Sequence, residues 1–69
     1  MVHKANQIAL FFESYSYEDA VRGVADHLQK FWEPRMRRQI VAYVESGGPG
    51  LRPSVVDAVR SLPAVPATQ

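Results

Sequence analysis

A chain of 69 residues with 8 Lys and Arg against 7 Asp and Glu has a formal charge of +1 and contains no cysteine. Its length excludes a two-domain catalytic cleft or a doubly wound dinucleotide-binding sheet, and the lack of thiols excludes disulfides, zinc-thiolate sites, iron-sulfur ligation and thiol catalysis. The near-neutral balance falls short of the cationic surplus of a dedicated nucleic-acid binder, and a chain this short buries only about 60% of its extended surface, which makes for a thin core.

Helical periodicity dominates from the start. Residues 3 to 13 bring Ala5, Ile8, Phe11 and Phe12 to one face and leave Asn6, Gln7 and Leu10 elsewhere, which predicts a first amphipathic helix. Ser14-Tyr15-Ser16 interrupts it, and Ser16 with Asp19 three residues later resembles a capping box with Asp in place of Glu. The strongest periodic signal follows. From Tyr17 to Trp32, the residues Tyr17, Ala20, Val21, Val24, Ala25, Leu28, Phe31 and Trp32 share an apolar arc opposite Gly23, Asp26 and Lys30. Pro34 ends that run and suits the first turn of a third helix, from about 34 to 46, with Met36, Ile40, Tyr43 and Val44 inward and Gly47-Gly48 as its stop. Pro53 opens a short fourth helix carrying Val55, Val56, Val59 and Leu62. Residues 63 to 69 cannot continue it and are expected to form a disordered tail after a single helical domain over 1–62. The predicted fold class is all-α, a small bundle of three to four short helices whose core joins Ile8, Phe11, Val24, Leu28, Phe31, Ile40 and Tyr43.

Little in the chain suits chemistry. The serines sit at helix boundaries and in loops, where backbone capping accounts for them. Gly47-Gly48-Pro49-Gly50 lacks the Lys-Ser/Thr of a phosphate loop and follows a helix instead of a strand. Glu13, Glu18 and Asp19 suit a solvated helix start. His3 and His27 lie far apart with no carboxylates at metal-ligand spacing, and His27 falls at the edge of the second helix's apolar arc, an ordinary place for a partly buried imidazole. No catalytic, cofactor-binding or metal-ligating residue is therefore expected. The longest apolar run, Ile8 to Phe12, is far below a membrane span, and the start has no secretory signal pattern, so a soluble, cytoplasmic chain without a membrane partner is expected.

The segment Lys30-Phe31-Trp32-Glu33-Pro34-Arg35-Met36-Arg37-Arg38 differs in kind, joining two large aromatics, a helix-breaking corner and four cations. On the third helix, Arg35, Arg37 and Arg38 point away from Met36, Ile40 and Tyr43. A solvated face beside a core Trp accounts for this composition, and two sharper readings stand next to it. Arginine can fork onto the carboxylates of a partner protein, with aromatic anchors alongside, or onto the phosphates of a nucleic acid or a nucleotide-bearing cofactor. The residues alone leave these open.

The succession Ala5-Asn6-Gln7-Ile8 with Phe11-Phe12, Gly23-Val24-Ala25-Asp26-His27, Lys30-Phe31-Trp32-Glu33-Pro34-Arg35-Met36-Arg37, and Gly47-Gly48 with Gly50-Leu51 resembles the delta subunit of soluble NAD-dependent formate dehydrogenase. Its specific part is the ordered run Phe31 to Arg37. In that family the delta subunit accompanies larger subunits that carry a molybdenum or tungsten pterin cofactor, iron-sulfur clusters and flavin. The resemblance implies a non-catalytic accessory subunit, with no cofactor of its own, that docks on the large catalytic subunit and supports its assembly, stability or cofactor retention. The expected docking residues are Lys30, Phe31, Trp32, Glu33, Pro34, Arg35, Arg37 and Arg38. The rival expectation is a small helical nucleic-acid-binding module using the arginine-rich face of the third helix, although the charge balance argues against a nucleic-acid partner.

Overall fold

The structure, a computed structural model, describes residues 1–63. They form four α-helices and no strand: α1 (Val2–Phe11), α2 (Tyr17–Phe31), α3 (Pro34–Glu45) and α4 (Pro53–Arg60). The all-α class and the order of the elements agree with the sequence reading. The expected tail of residues 63 to 69 lies, after Pro63, outside the described residues.

Local chemistry sets the boundaries. The Ser16 hydroxyl accepts the Asp19 N–H at 3.2 Å, and Glu18 and Asp19 complement the positive end of α2. Asp19 also bonds the Arg22 guanidinium, which with the Ser16 contact holds its carboxyl below the usual carboxylate range. Pro34 and Pro53 stand at the first positions of α3 and α4, where no N–H is required. After Glu45, the Gly48 N–H reaches the Tyr43 carbonyl at 2.9 Å and the Gly47 N–H reaches Val44 at 3.0 Å, a Schellman closure. It depends on φ values of 120° and 57° at Gly47 and Gly48, which side-chain-bearing residues rarely adopt.

The core forms around the shortest helix. Val55, Ala58 and Val59 of α4 are buried against Val24 and Leu28 of α2, Ile40 and Val44 of α3, and Ala5 and Ala9 of α1, with Trp32 closing one end. Asn6, which the periodicity leaves off the apolar face of α1, has a structural role. Its amide donates to the Gly50 carbonyl at 2.9 Å and accepts the Arg52 N–H at 3.0 Å, tying the α3–α4 loop to α1.

Three large side chains expected inside are outside. Phe11, Tyr17 and Phe31 are 75%, 51% and 72% exposed, while Ile8 and Tyr43 are half-buried. Tyr17 and Phe31 are the first and last residues of α2, whose 15 residues run about 22 Å, whereas the 8 residues of α4 cover only about 12 Å. The long helix has more length than α4 can cover, and its two terminal aromatics remain exposed. On α1 the inward face is centred on the small residues Ala5 and Ala9, which permit close approach, and Phe11 falls outside it.

At its N-terminal end α2 is joined to α4 by the Tyr17 hydroxyl, which donates to the Asp57 carboxylate. This bond, some desolvation and the neighbouring negative charge raise the Tyr17 phenol above the ordinary tyrosine range. Because the folded-state value is the higher one, the link contributes fully below the ordinary phenol range and is lost as pH rises through the elevated value. An NMR pH titration of the Tyr17 ring should show the upward shift, and Asp57→Ala should return it to ordinary behaviour.

Candidate protein-docking corner

The Lys30–Arg38 segment turns the chain from α2 into α3, but the structure does not place its residues on one surface. Trp32, the C-cap of α2, is 8% exposed and belongs to the core. Its backbone N–H still bonds the Leu28 carbonyl at 3.2 Å, after which ψ opens to 136° and the chain departs. Phe31, one residue earlier, projects into solvent with its ring against that of His27, centroids 4.8 Å apart. Lys30 is exposed and pairs with Asp26 at 3.2 Å. Glu33 is the exposed N-cap of α3 and makes no side-chain capping bond there, and Pro34 beside it is half-buried.

The three arginines separate. Arg37, expected to face away from the core, is half-buried and folds back across the corner, donating to the Gln29 carbonyl at 2.7 Å with its Nε buried. The reason lies in the backbone of α2, whose last carbonyls have no partner within the helix. A guanidinium one turn into the next helix satisfies one of them and complements the negative helix end. Arg35 is exposed and makes no hydrogen bond or ion pair among the described residues, and Arg38 is exposed as well. The arginine face is thus smaller than the sequence implied, and Arg35 makes no bond to the rest of the chain among the described residues.

Next to the corner lies a feature that periodicity did not single out. An open cavity of about 430 Å³ between α1 and the C-terminal part of α2 is lined by Lys4, Gln7, Ile8, Phe11, Phe12, His27 and Trp32. One helical stripe, Lys4, Gln7, Ile8 and Phe11 of α1, supplies most of the lining, and His27 with Trp32 supplies the opposite side. The usable signal was the i, i+3 and i, i+4 spacing of Lys4, Gln7, Ile8 and Phe11, hidden because the stripe mixes polar and apolar residues. The Phe12 ring, edge-on to Phe11 at 5.1 Å and to Tyr15 at 5.4 Å, lies against Gly23. A Cβ on Gly23 would stand 2.5 Å from the Phe12 Cε1, closer than atoms pack. Gly23→Ala should therefore displace the ring and destabilise the fold while Phe12 is present. In a Phe12→Ala background the same change should stabilise by about 1 kcal/mol, the helix-propensity gain. Urea melts of the two single variants and the double variant measure that reversal of sign.

Among the described residues no group of three or more His, Cys, Asp or Glu is placed to hold a metal ion, and no helix is long and apolar enough to cross a membrane. A family model described as the NADH-dependent formate dehydrogenase delta subunit FdsD matches residues 1–59, which takes in the whole corner, both walls of the cavity and all but the last residue of α4. No curated protein and no solved structure matches the chain.

Proposed function

The chain belongs to the formate dehydrogenase delta-subunit family, and from that premise we propose that it is a non-catalytic accessory subunit that docks on the large catalytic subunit in the cytoplasm through the α2–α3 corner. Docking supports the assembly, stability or cofactor retention of that partner. The observation that carries the reading is the presence in the segment that forms this corner of an aromatic ring 72% exposed, Phe31, and of an exposed guanidinium, Arg35, that has no partner among the described residues. Water-exposed Phe is unfavourable until a partner covers it, and Arg beside an aromatic is the composition of an interface hot spot. A cysteine-free chain offers no thiolate ligand for an electron-transfer cluster. Redox chemistry therefore belongs to the partner subunits.

The test is co-expression of the large subunits with and without this chain. Omission should lower the activity, cofactor content or thermal stability of the purified enzyme, and the chain alone should turn over no formate. Equal preparations in all three respects would overturn the accessory role.

A further inference from the structure

The cavity beside the corner has one sign of charge and an apolar floor. Ile8, Phe11, Phe12 and Trp32 supply the apolar lining, and the Phe31 ring lies tilted against that of the lining residue His27. The polar lining is Lys4, Gln7 and His27, and no carboxylate contributes among the described residues. The nearby Asp26 is neutralised by Lys30, and α1 contains no acidic residue. Phe11 at 75% and Phe31 at 72% exposure leave two aromatic rings in water, Phe11 in the lining itself and Phe31 against the lining residue His27. A trough between two helices, apolar within and cationic at one rim, matches the complement of an amphipathic helix that places apolar side chains inside and a carboxylate at the rim.

We propose that the α1–α2 cavity receives an amphipathic, acid-flanked helix of the large catalytic subunit, with Phe11 and Phe31 clasping its apolar side chains and Lys4 pairing with its carboxylate. This inference rests on the accessory-subunit reading and adds to it the surface and the chemistry of the segment bound there. A second copy of the chain is a poorer occupant. Two-fold contact through this patch would bring both Lys4 ammonium groups onto one interface with no carboxylate from either lining to offset them.

The experiment uses the co-expressed complex with the photo-reactive amino acid p-benzoylphenylalanine in place of Phe11, irradiation, and mass spectrometry of the adduct. The expected adduct is on a peptide of the large catalytic subunit that carries apolar residues and an Asp or Glu within one helical turn. An adduct on a second copy of this chain, on a peptide without an acidic residue, or no adduct at all in an intact complex overturns the proposal. Charge is tested separately. Lys4→Glu should lower retention of the chain in the purified complex by about tenfold or more, Lys4→Gln by less, and Lys4→Arg should retain it. Phe11→Ser should also lower retention while leaving the helical circular dichroism of the chain unchanged, since the ring is solvent-exposed. If Lys4→Glu and Phe11→Ser are retained like wild type while wild type still raises enzyme activity, the groove assignment fails and the accessory role stands. If the wild-type chain does not co-purify at all, both fail.

Discussion

Trp32→Ala is expected to destabilise the fold by on the order of 3 to 5 kcal/mol, the usual cost of deleting a buried aromatic side chain. A chain of this size has roughly 3 to 10 kcal/mol of total stability, so the change removes from about 30% of it to all of it. Two structural facts place the effect at the upper end. Trp32 is 8% exposed and belongs to a core whose largest fully buried members are only Leu28, Ile40, Val24 and Val55, so few neighbours are bulky enough to fill the void. It is also the C-cap of α2, immediately before the turn into α3, so its loss acts on the core and on the corner together. Urea and thermal melts followed by circular dichroism provide the measurement. Trp32→Phe, which keeps a ring, should lose clearly less. A Trp32→Ala chain that melts like wild type would show that the indole is dispensable to the core and that its conspicuous place in the sequence has another cause.

The fold was readable where structure is decided within a few residues. Ser16, Pro34, Pro53 and Gly47-Gly48 act on the backbone within one turn of themselves, and α2, α3 and α4 begin or end at them as the sequence indicated. What escaped depends on the neighbours a residue meets. Tyr17 and Phe31 fall on the apolar arc of α2 but at its two ends, where Tyr17 meets α4 only through its hydroxyl and Phe31 is left to solvent, and a helical wheel contains no axial length. Ala5 and Ala9 are the contact face of α1 because small side chains let helices approach, yet a search weighted by hydrophobic bulk prefers Phe11. Arg37 is drawn inward by a carbonyl eight residues earlier, a partner that only the bend at Glu33-Pro34 brings near. The docking segment was therefore legible as a composition, while its division into core, cap and exposed parts was not.

That division makes Arg35 the decisive charge. Arg35→Ala should leave the helicity and melting of the chain nearly unchanged, because the guanidinium is exposed and makes no bond among the described residues. In the complex it should weaken association with the large subunit by roughly 1.5 to 3 kcal/mol, the range of a hydrogen bond to a charged group, which is about tenfold to more than a hundredfold in affinity. Arg37→Ala is the contrasting control. It removes the bond to the Gln29 carbonyl and leaves a helix end uncapped, so it should lower the melting point of the chain, and any loss of binding would follow that loss of structure. Lys at position 35 should recover part of the affinity, since it keeps the charge but loses the planar fork. Binding measured by titration of the chain into the purified large subunits, beside melting of the same variants, separates the two arginines. Should Arg35→Ala bind as tightly as wild type at low salt, where exposed charges act most strongly, the guanidinium is a solvated surface group and the corner docks through Phe31 without it.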